Sequence, residues 1–549
     1  MKISWLRAGP DVGVSNSPCP HFWFAGFIAN RSDLIARVGA TPEESDASLL
    51  LRVCDLDPAA APYLVFGQCA WVYWHEPSGR LYAVRDRLGT RTLFYTQRDD
   101  RFLLSNRLED LLPEGTPALN ETSIARQICG RGPDPGETFY RDFRSIDAGT
   151  VLVVERDRLT TRTYWRPETN PCLGLSSDAA YAEVFRERFV AVVSDYLPSE
   201  PWGITLSGGL DSVAIAAAAK RASPALSMIA FSWASPELPE ADESRLAAEV
   251  CSRLGCRQVT IAADRAWPLR SELRPPRSSP FVLFYSELWE ETFRVVRSEG
   301  VHVLSSGMSG DHLVGANVFS YPDLLLRCRW SRLVSELAGH RRSGVELRWL
   351  LRRLVIGPAV RWLIPRRLPS PRPAWLGPRL REHGEPPAPA IPRRLLPGRR
   401  HRLEHLLDPS LRMIAGQMTS RAEELGIDFR HPWLDHRLFE LAASLPSEQT
   451  FAAGSQKVVL RNALRGLLPS DVVDRLGKTY PTPIFNRGLR EREREKVRGL
   501  LTNMQAARRG FVDEASLRAT YERYLAGATN DVHFWYSLTL EAWLRLHFS

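Results

Sequence analysis

Hydrophobic and polar positions change rhythm once along this chain. Through about residue 165 the apolar residues come in short runs: Tyr63-Leu64-Val65-Phe66, Ala70-Trp71-Val72-Tyr73-Trp74, Leu81-Tyr82-Ala83-Val84 and Thr150-Val151-Leu152-Val153-Val154. Turn-forming residues separate them at hairpin spacing, which predicts strands and a β-rich domain without helical crossovers. From about Asp178 the period lengthens. An amphipathic helix over Ala179 to Tyr196 leads into the strand Ile204-Thr205-Leu206, and two more strands follow, Leu226 to Phe231 and Val301 to Leu304, with helices at Glu243 to Leu254 and Ser286 to Val296. That alternation predicts a doubly wound parallel sheet, with ligands beyond the carboxyl ends of its strands. Leu347 to Leu354 reads as a basic amphipathic helix packed on the domain. Residues 357–402, rich in Pro and Arg, read as an irregular insertion or mobile loop, and the chain beyond is mostly helical without an internal repeat.

Candidate chemistry begins where the first of these parallel strands ends. Ser207-Gly208-Gly209-Leu210-Asp211-Ser212 follows it and opens a helix. Adjacent glycines let the backbone approach a phosphate closely, the helix start adds positive dipole, and the two serines add hydroxyl donors. Asp211 would repel phosphate unless a divalent cation lies between them, so the loop points to Mg2+-nucleotide chemistry. Neither G-x-x-x-x-G-K-[ST] nor G-x-G-x-x-G is present here, which disfavours a γ-phosphate-transferring P-loop and a dinucleotide site. The strand at Val301 to Leu304 should then carry a matching loop. Ser305-Ser306-Gly307-Met308-Ser309-Gly310-Asp311-His312 meets that demand, placing Asp311 where it could share a cation with Asp211.

At 549 residues the chain is long enough for two or three domains, and 44% apolar with 25% charged residues is ordinary globular composition. The first ten residues have no apolar core of a signal peptide and no stretch is apolar enough to span a bilayer, so the expected compartment is the cytoplasm. Eight cysteines without a CxxC pair suggest reduced, mostly buried thiols. The net charge of +9 raises the question of RNA, but the excess lies in Arg327 to Arg402 with few aromatics, which fits a solvated or peptide-facing surface better than nucleic acid.

S-G-G-x-D-S resembles the PP-loop of ATP pyrophosphatases, and at this point the chain resembles the asparagine synthetase-like superfamily over nearly its full length. Arg85-Asp86-Arg87-Leu88-Gly89-Thr90-Arg91-Thr92-Leu93-Phe94-Tyr95 and Ser105 to Leu111 look like its glutaminase-type domain. Gly307 to Gly315, His431-Pro432-Trp433-Leu434-Asp435, Lys457-Val458-Val459-Leu460-Arg461 and Asp474-Arg475-Leu476-Gly477-Lys478 follow in the family's order. The resemblance implies an Ntn-like glutaminase-type domain at 1–170 and a PP-loop synthetase domain at 171–549. Glutamine-hydrolysing members expose a cysteine after Met1. Position 2 here is Lys2, and Cys19 lacks a comparable free amine, so the expected amine comes with the substrate. Among members without that cysteine, β-lactam synthetases and lasso peptide cyclases, the Gly310-Asp311-His312 run with Gly315 is most similar to the cyclases.

What the resemblance implies is an adenylation. A side-chain Asp or Glu of a precursor peptide attacks the α-phosphorus of ATP, and the peptide's N-terminal amine displaces AMP to close a macrolactam. Asp211 and Asp311 would hold Mg2+; Ser207, Gly208, Gly209 and Ser212 would retain pyrophosphate; backbone at Thr205 and Trp233 and the Ser306-Gly307 turn would contact adenosine. Lys478 would neutralise charge in the tetrahedral intermediate. Where asparagine synthetases have Glu and β-lactam synthetases Tyr, this chain has Met308, which cannot take a proton. The expected cofactors are ATP and Mg2+, and the expected partner is the precursor peptide, with a leader-peptide-binding protein and a leader peptidase as candidate associates.

Overall fold

The computed structural model describes residues 2–6, 9–13, 21–98, 101–155, 158–167, 173–198, 201–315, 320–342, 346–363, 372–383, 391, 395–452, 455–475 and 479–548. Its N-terminal part is two antiparallel sheets. One contains β1 (Lys2–Leu6), β2 (Gly9–Gly13), β6 (Phe94–Arg98), β7 (Arg101–Ser105) and β8 (Arg144–Ser145), in the order β2-β1-β7-β6-β8. The other contains β3 (Phe22–Ile28), β4 (Gly67–His75), β5 (Arg80–Arg85), β9 (Thr150–Glu155) and β10 (Arg158–Thr163), in the order β10-β9-β5-β4-β3. Alternate residues Val72, Leu81, Leu104 and Leu152 fill the layer between the sheets, as period-two patterning requires. The predicted strand at Tyr63 to Phe66 is instead the end of a helical turn, Ala61–Leu64, which Pro62 starts with its preset φ.

The second part is a parallel sheet in the order β13-β12-β11-β14-β15: β11 (Trp202–Thr205), β12 (Met228–Ala234), β13 (Arg257–Ala262), β14 (Val303–Ser306) and β15 (Asp428–Arg430). The chain winds from β11 outward to β13 and then returns to β14 on the other side. The switch point, where connections diverge and leave a crevice, therefore lies between β11 and β14. One face is covered by the helices Asp178–Asp195, Leu210–Ala222 and Val458–Leu464, the other by Ser286–Ser298 and Pro409–Glu424.

Residues 357–402 are not an irregular loop throughout. Gly357–Leu363 is helical, Trp375, Leu376 and Leu380 are buried in the core of the C-terminal helices, and Pro397–Leu406 is a helix. Arg402 from that helix is buried and donates to the carbonyls of Ala442 and Leu445 at 2.8 Å, so part of the basic excess is internal and structural. Leu347 to Ile356 is helical and packs through Leu350 and Val355. Among the described residues all cysteines are unpaired with one another by disulfide.

The two parts are fastened by the Arg85 to Tyr95 segment. Asp86 accepts the N–H groups of Leu88, Thr90 and Arg91, and Arg85 donates to the carbonyls of Gly89 and Arg91, which fixes the turn. Arg91 then reaches across to Glu423 and, at 2.7 Å, to Asp428. Gln68 adds a reciprocal pair with the backbone of His431 at 2.8 and 2.9 Å. Burial holds His431 neutral, its pKa down to about 3 with Arg91 contributing, and burial likewise lowers His436 and His401 to about 4. An unfolded histidine titrates near 6.5. Between pH 6.5 and 4 the unfolded chain thus binds protons that the folded chain refuses, so stability falls as pH drops through that window, by about 1.4 kcal/mol per pH unit per proton. The melting temperature should be level above pH 7 and decline below 6.5, and His431→Asn should reduce that slope.

Candidate nucleotide and metal site

Both predicted loops lie at the switch point, one on each side of the crevice. Thr205 and Ser306 are register partners at the ends of β11 and β14, so the loops that follow leave the sheet together. They are pressed close: a Cβ on Gly307 would lie 2.5 Å from the Ser212 nitrogen, and one on Gly310 would lie 2.4 Å from the Asp211 carboxyl carbon. Only glycine allows that approach. Ser309, between them, adopts φ +77°, in the left-handed region.

The first loop is held by its own hydroxyls. Ser207 and Ser212 Oγ lie 3.1 Å apart, the Ser207 N–H donates to Ser212, and the Gly209 N–H donates to Ser207. Gly209 caps the helix Leu210–Ala222 without a side-chain acceptor, leaving its first-turn N–H groups for an anion. The serines predicted as phosphate donors therefore also shape the loop that presents the backbone. Thr205 Oγ1 leans on the Ser305 carbonyl at 3.4 Å. At Trp233 the carbonyl accepts the Glu243 N–H, and the indole donates to Thr292.

The centre of the site is Lys457, which opens one of the family-like runs of the sequence but had no role assigned to it there. Lys457 Nζ lies 2.7 Å from both carboxylate oxygens of Asp211 and 2.7 Å from Asp311 Oδ1. Lys457 and Asp211 are buried, whereas the Asp311 side chain is 44% exposed toward the crevice. Lys457 takes φ +59° at the start of the helix Val458–Leu464, and its N–H is anchored on the Thr450 carbonyl. A lysine in the left-handed region is uncommon, and here that backbone aims the side chain inward. Trp433, from His431 to Asp435, donates to the Asp211 carbonyl at 3.3 Å and steadies it from below.

The residues fit a divalent cation on one structural ground: two carboxylates from different loops already converge on a single positive charge. Oxygen donors so arranged are what Mg2+ takes. Ser309 Oγ, buried and without a hydrogen-bond partner among the described residues, adds a polar group beside them. A small cavity of about 200 Å³ opens next to Asp311, lined by His312, His401 and His405. Lys478 lies outside the described residues. Met308 sits beside the site, its N–H on Ser306 Oγ at 3.4 Å, and supplies no proton acceptor.

An anion loop and paired carboxylates at the switch point of a doubly wound sheet, fastened to a double antiparallel sheet, define a nucleotide-using synthetase. The asparagine synthase family model matches residues 185–545, and the glutamine amidotransferase domain matches 24–165. The chain belongs to the asparagine synthase family, and it is an ATP-dependent amide-forming ligase. Asparagine synthetase [glutamine-hydrolyzing] 1 of Bacillus subtilis is 21% identical over 515 residues, 87% of this chain and 77% of that protein. A putative asparagine synthetase [glutamine-hydrolyzing] of Mycobacterium tuberculosis is 23% identical over 464 residues, 76% of this chain and 67% of that one. Carboxyethyl-arginine beta-lactam-synthase of Streptomyces clavuligerus is 27% identical over 210 residues, 38% and 39% of the two chains.

Proposed function

We propose that this ligase is a lasso peptide cyclase, joining the N-terminal amine of a precursor peptide to one of its own Asp or Glu side chains. The observation that carries the reading is the convergence of Asp211, Lys457 and Asp311 at the mouth of the Ser207–Ser212 loop. A peptide carboxylate brought there meets the α-phosphate of ATP, with pyrophosphate drawn to the N–H groups of the helix start. A divalent cation on Asp211 and Asp311 would shield the charges that this approach brings together. The amine then displaces AMP from the activated carboxyl.

Support for an amine carried by the substrate, rather than ammonia from glutamine, comes from two of the cysteines of the N-terminal part. Cys54 and Cys69 are fully buried, and burial pushes both thiols up, with Asp55 adding to this at Cys54 and Asp86 at Cys69. A thiol so placed is a poor nucleophile. The Gly310-Asp311-His312 and Gly315 run favours a cyclase. A second reading, a synthetase acting on a small amino acid, draws on the Streptomyces clavuligerus relative. Met308 weighs against it, because a weakly basic nucleophile in a small site needs a proton acceptor there. An α-amine is about one-tenth neutral at pH 7 and needs less help.

Incubation with ATP, Mg2+ and synthetic peptides carrying a free N-terminal amine and one internal Asp or Glu, at varied spacing, tests this. AMP, pyrophosphate and a peptide lighter by one water are expected. ADP in place of AMP overturns the adenylation. AMP formed only with free amino acids, and with no peptide, favours the second reading.

A further inference from the structure

A chamber of about 770 Å³ lies between the two halves, on the face of the parallel sheet that carries the helices Ser286–Ser298 and Pro409–Glu424. That is in the upper part of the roughly 300–1,000 Å³ span usual for ligand sites, and far more room than a single small amine needs. Its walls come from both halves: Phe94, Leu108 and Phe139 from one, Phe281, Trp289 and Met418 from the other. Apolar walls of this kind hold apolar groups by excluding water.

Charge narrows the occupant. All six arginines at the chamber are engaged. Arg412 pairs with Asp147, Arg421 with Glu290 and Glu424, Arg107 with Glu424, Arg274 with Glu272 and Arg294 with Glu291, while Arg85 serves backbone carbonyls. Two carboxylates are not matched. Glu109 accepts only the Ser278 N–H, and Glu287 accepts the N–H and hydroxyl of Ser271; among the described residues neither has a cation within ion-pair distance. In a chain with a net charge of +9, this chamber carries unneutralised negative charge. It suits a positively charged group on an apolar body and repels an anion.

One wall of the chamber reaches a strand of the parallel sheet. Trp289 forms its wall and meets Trp233, at the carboxyl end of β12, edge to face with ring centroids 5.5 Å apart. Leu283 and Ser286 line the chamber, and Tyr285 between them bonds Thr482 at 3.2 Å. We infer that this chamber binds an apolar, cation-bearing peptide segment, Glu109 and Glu287 receiving the positive group. Its identity as part of the substrate rests on the cyclase reading above; its chemistry as a peptide site does not.

Gly416 allows a direct test. It lines the chamber from the middle of the helix Pro409–Glu424, and the nearest atom to a Cβ there is the Thr92 methyl at 3.4 Å. Gly416→Met fills the space while replacing a helical glycine with a good helix former, and circular dichroism and melting check that the fold is retained before binding is compared. The probe is the fluorescently tagged pentapeptide Leu-Phe-Lys-Leu-Phe, blocked at both ends and thus unable to react, followed by anisotropy. Gly416→Met should weaken its binding at least tenfold, the double variant Glu109→Gln, Glu287→Gln should weaken it three- to tenfold, and a probe with Glu in place of Lys should bind at least tenfold more weakly to the unaltered protein. Equal binding by Gly416→Met, or by the acidic probe, overturns the chamber as this site. If that happens while the protein still cyclises a free peptide, the cyclase reading survives alone. Probe binding lost in Gly416→Met, with no peptide yielding AMP, upholds the site and removes the cyclase reading.

Discussion

Asp211→Asn should abolish AMP release while the protein remains folded. The substitution keeps the side chain's shape and removes the charge that would hold a divalent cation against phosphate. Loss of one such electrostatic group typically costs about a hundred- to a thousandfold in rate. Here the loss should reach the upper end, because Asp211 is buried and Asp311, the carboxylate that shares Lys457 with it, would already be committed to the same cation. Circular dichroism and melting should show the fold intact, since Lys457 retains Asp311 as a partner. Turnover within tenfold of the unaltered protein would remove Asp211 from the metal site, and with it the proposed adenylation geometry.

Lys457→Met should have its largest effect on the protein without divalent cations. Methionine fills much of the lysine's volume but removes the positive charge that Asp211 and Asp311 share. Removing one partner of a buried ion pair generally costs about 3–5 kcal/mol; the exposure of Asp311 puts this one at the lower end, about 3 kcal/mol. Two consequences separate this from ordinary core damage. Added Mg2+ or Mn2+ should raise the melting temperature of Lys457→Met far more than that of the unaltered protein, because the cation takes the vacated position. The double variant Asp211→Asn, Lys457→Met should be more stable without metal than Lys457→Met alone. A melting temperature insensitive to both additions would mean that the lysine does not balance the pair.

Much of this site was legible in sequence because it is made of local signals. A strand running into Gly-Gly with an acid three residues after the first glycine, and a second strand ending in a Gly/Ser loop with its own acid, are each contained within eight residues. The doubly wound topology then brings them together. Lys457 was visible as the start of a family-like run but its role was not, since its partner Asp211 is 246 residues away and that role depends on a left-handed backbone. The two edge strands were missed for a different reason. β13 reads Arg-Gln-Val-Thr-Ile-Ala with only Ile261 buried, and β15 has three residues of which only Phe429 is buried, so neither shows an apolar run. The insertion misled in the opposite direction: Pro397 begins a helix instead of breaking one, and Arg402 is inside, satisfied by carbonyls.

The turn from Arg85 to Arg91 has a mechanical job that is independent of any reaction. Its aspartate knots the turn and its last arginine rivets the double sheet to β15, setting the alignment of one half on the other. A chain with this signature advertises shared architecture, and the signature alone says nothing about whether glutamine is split.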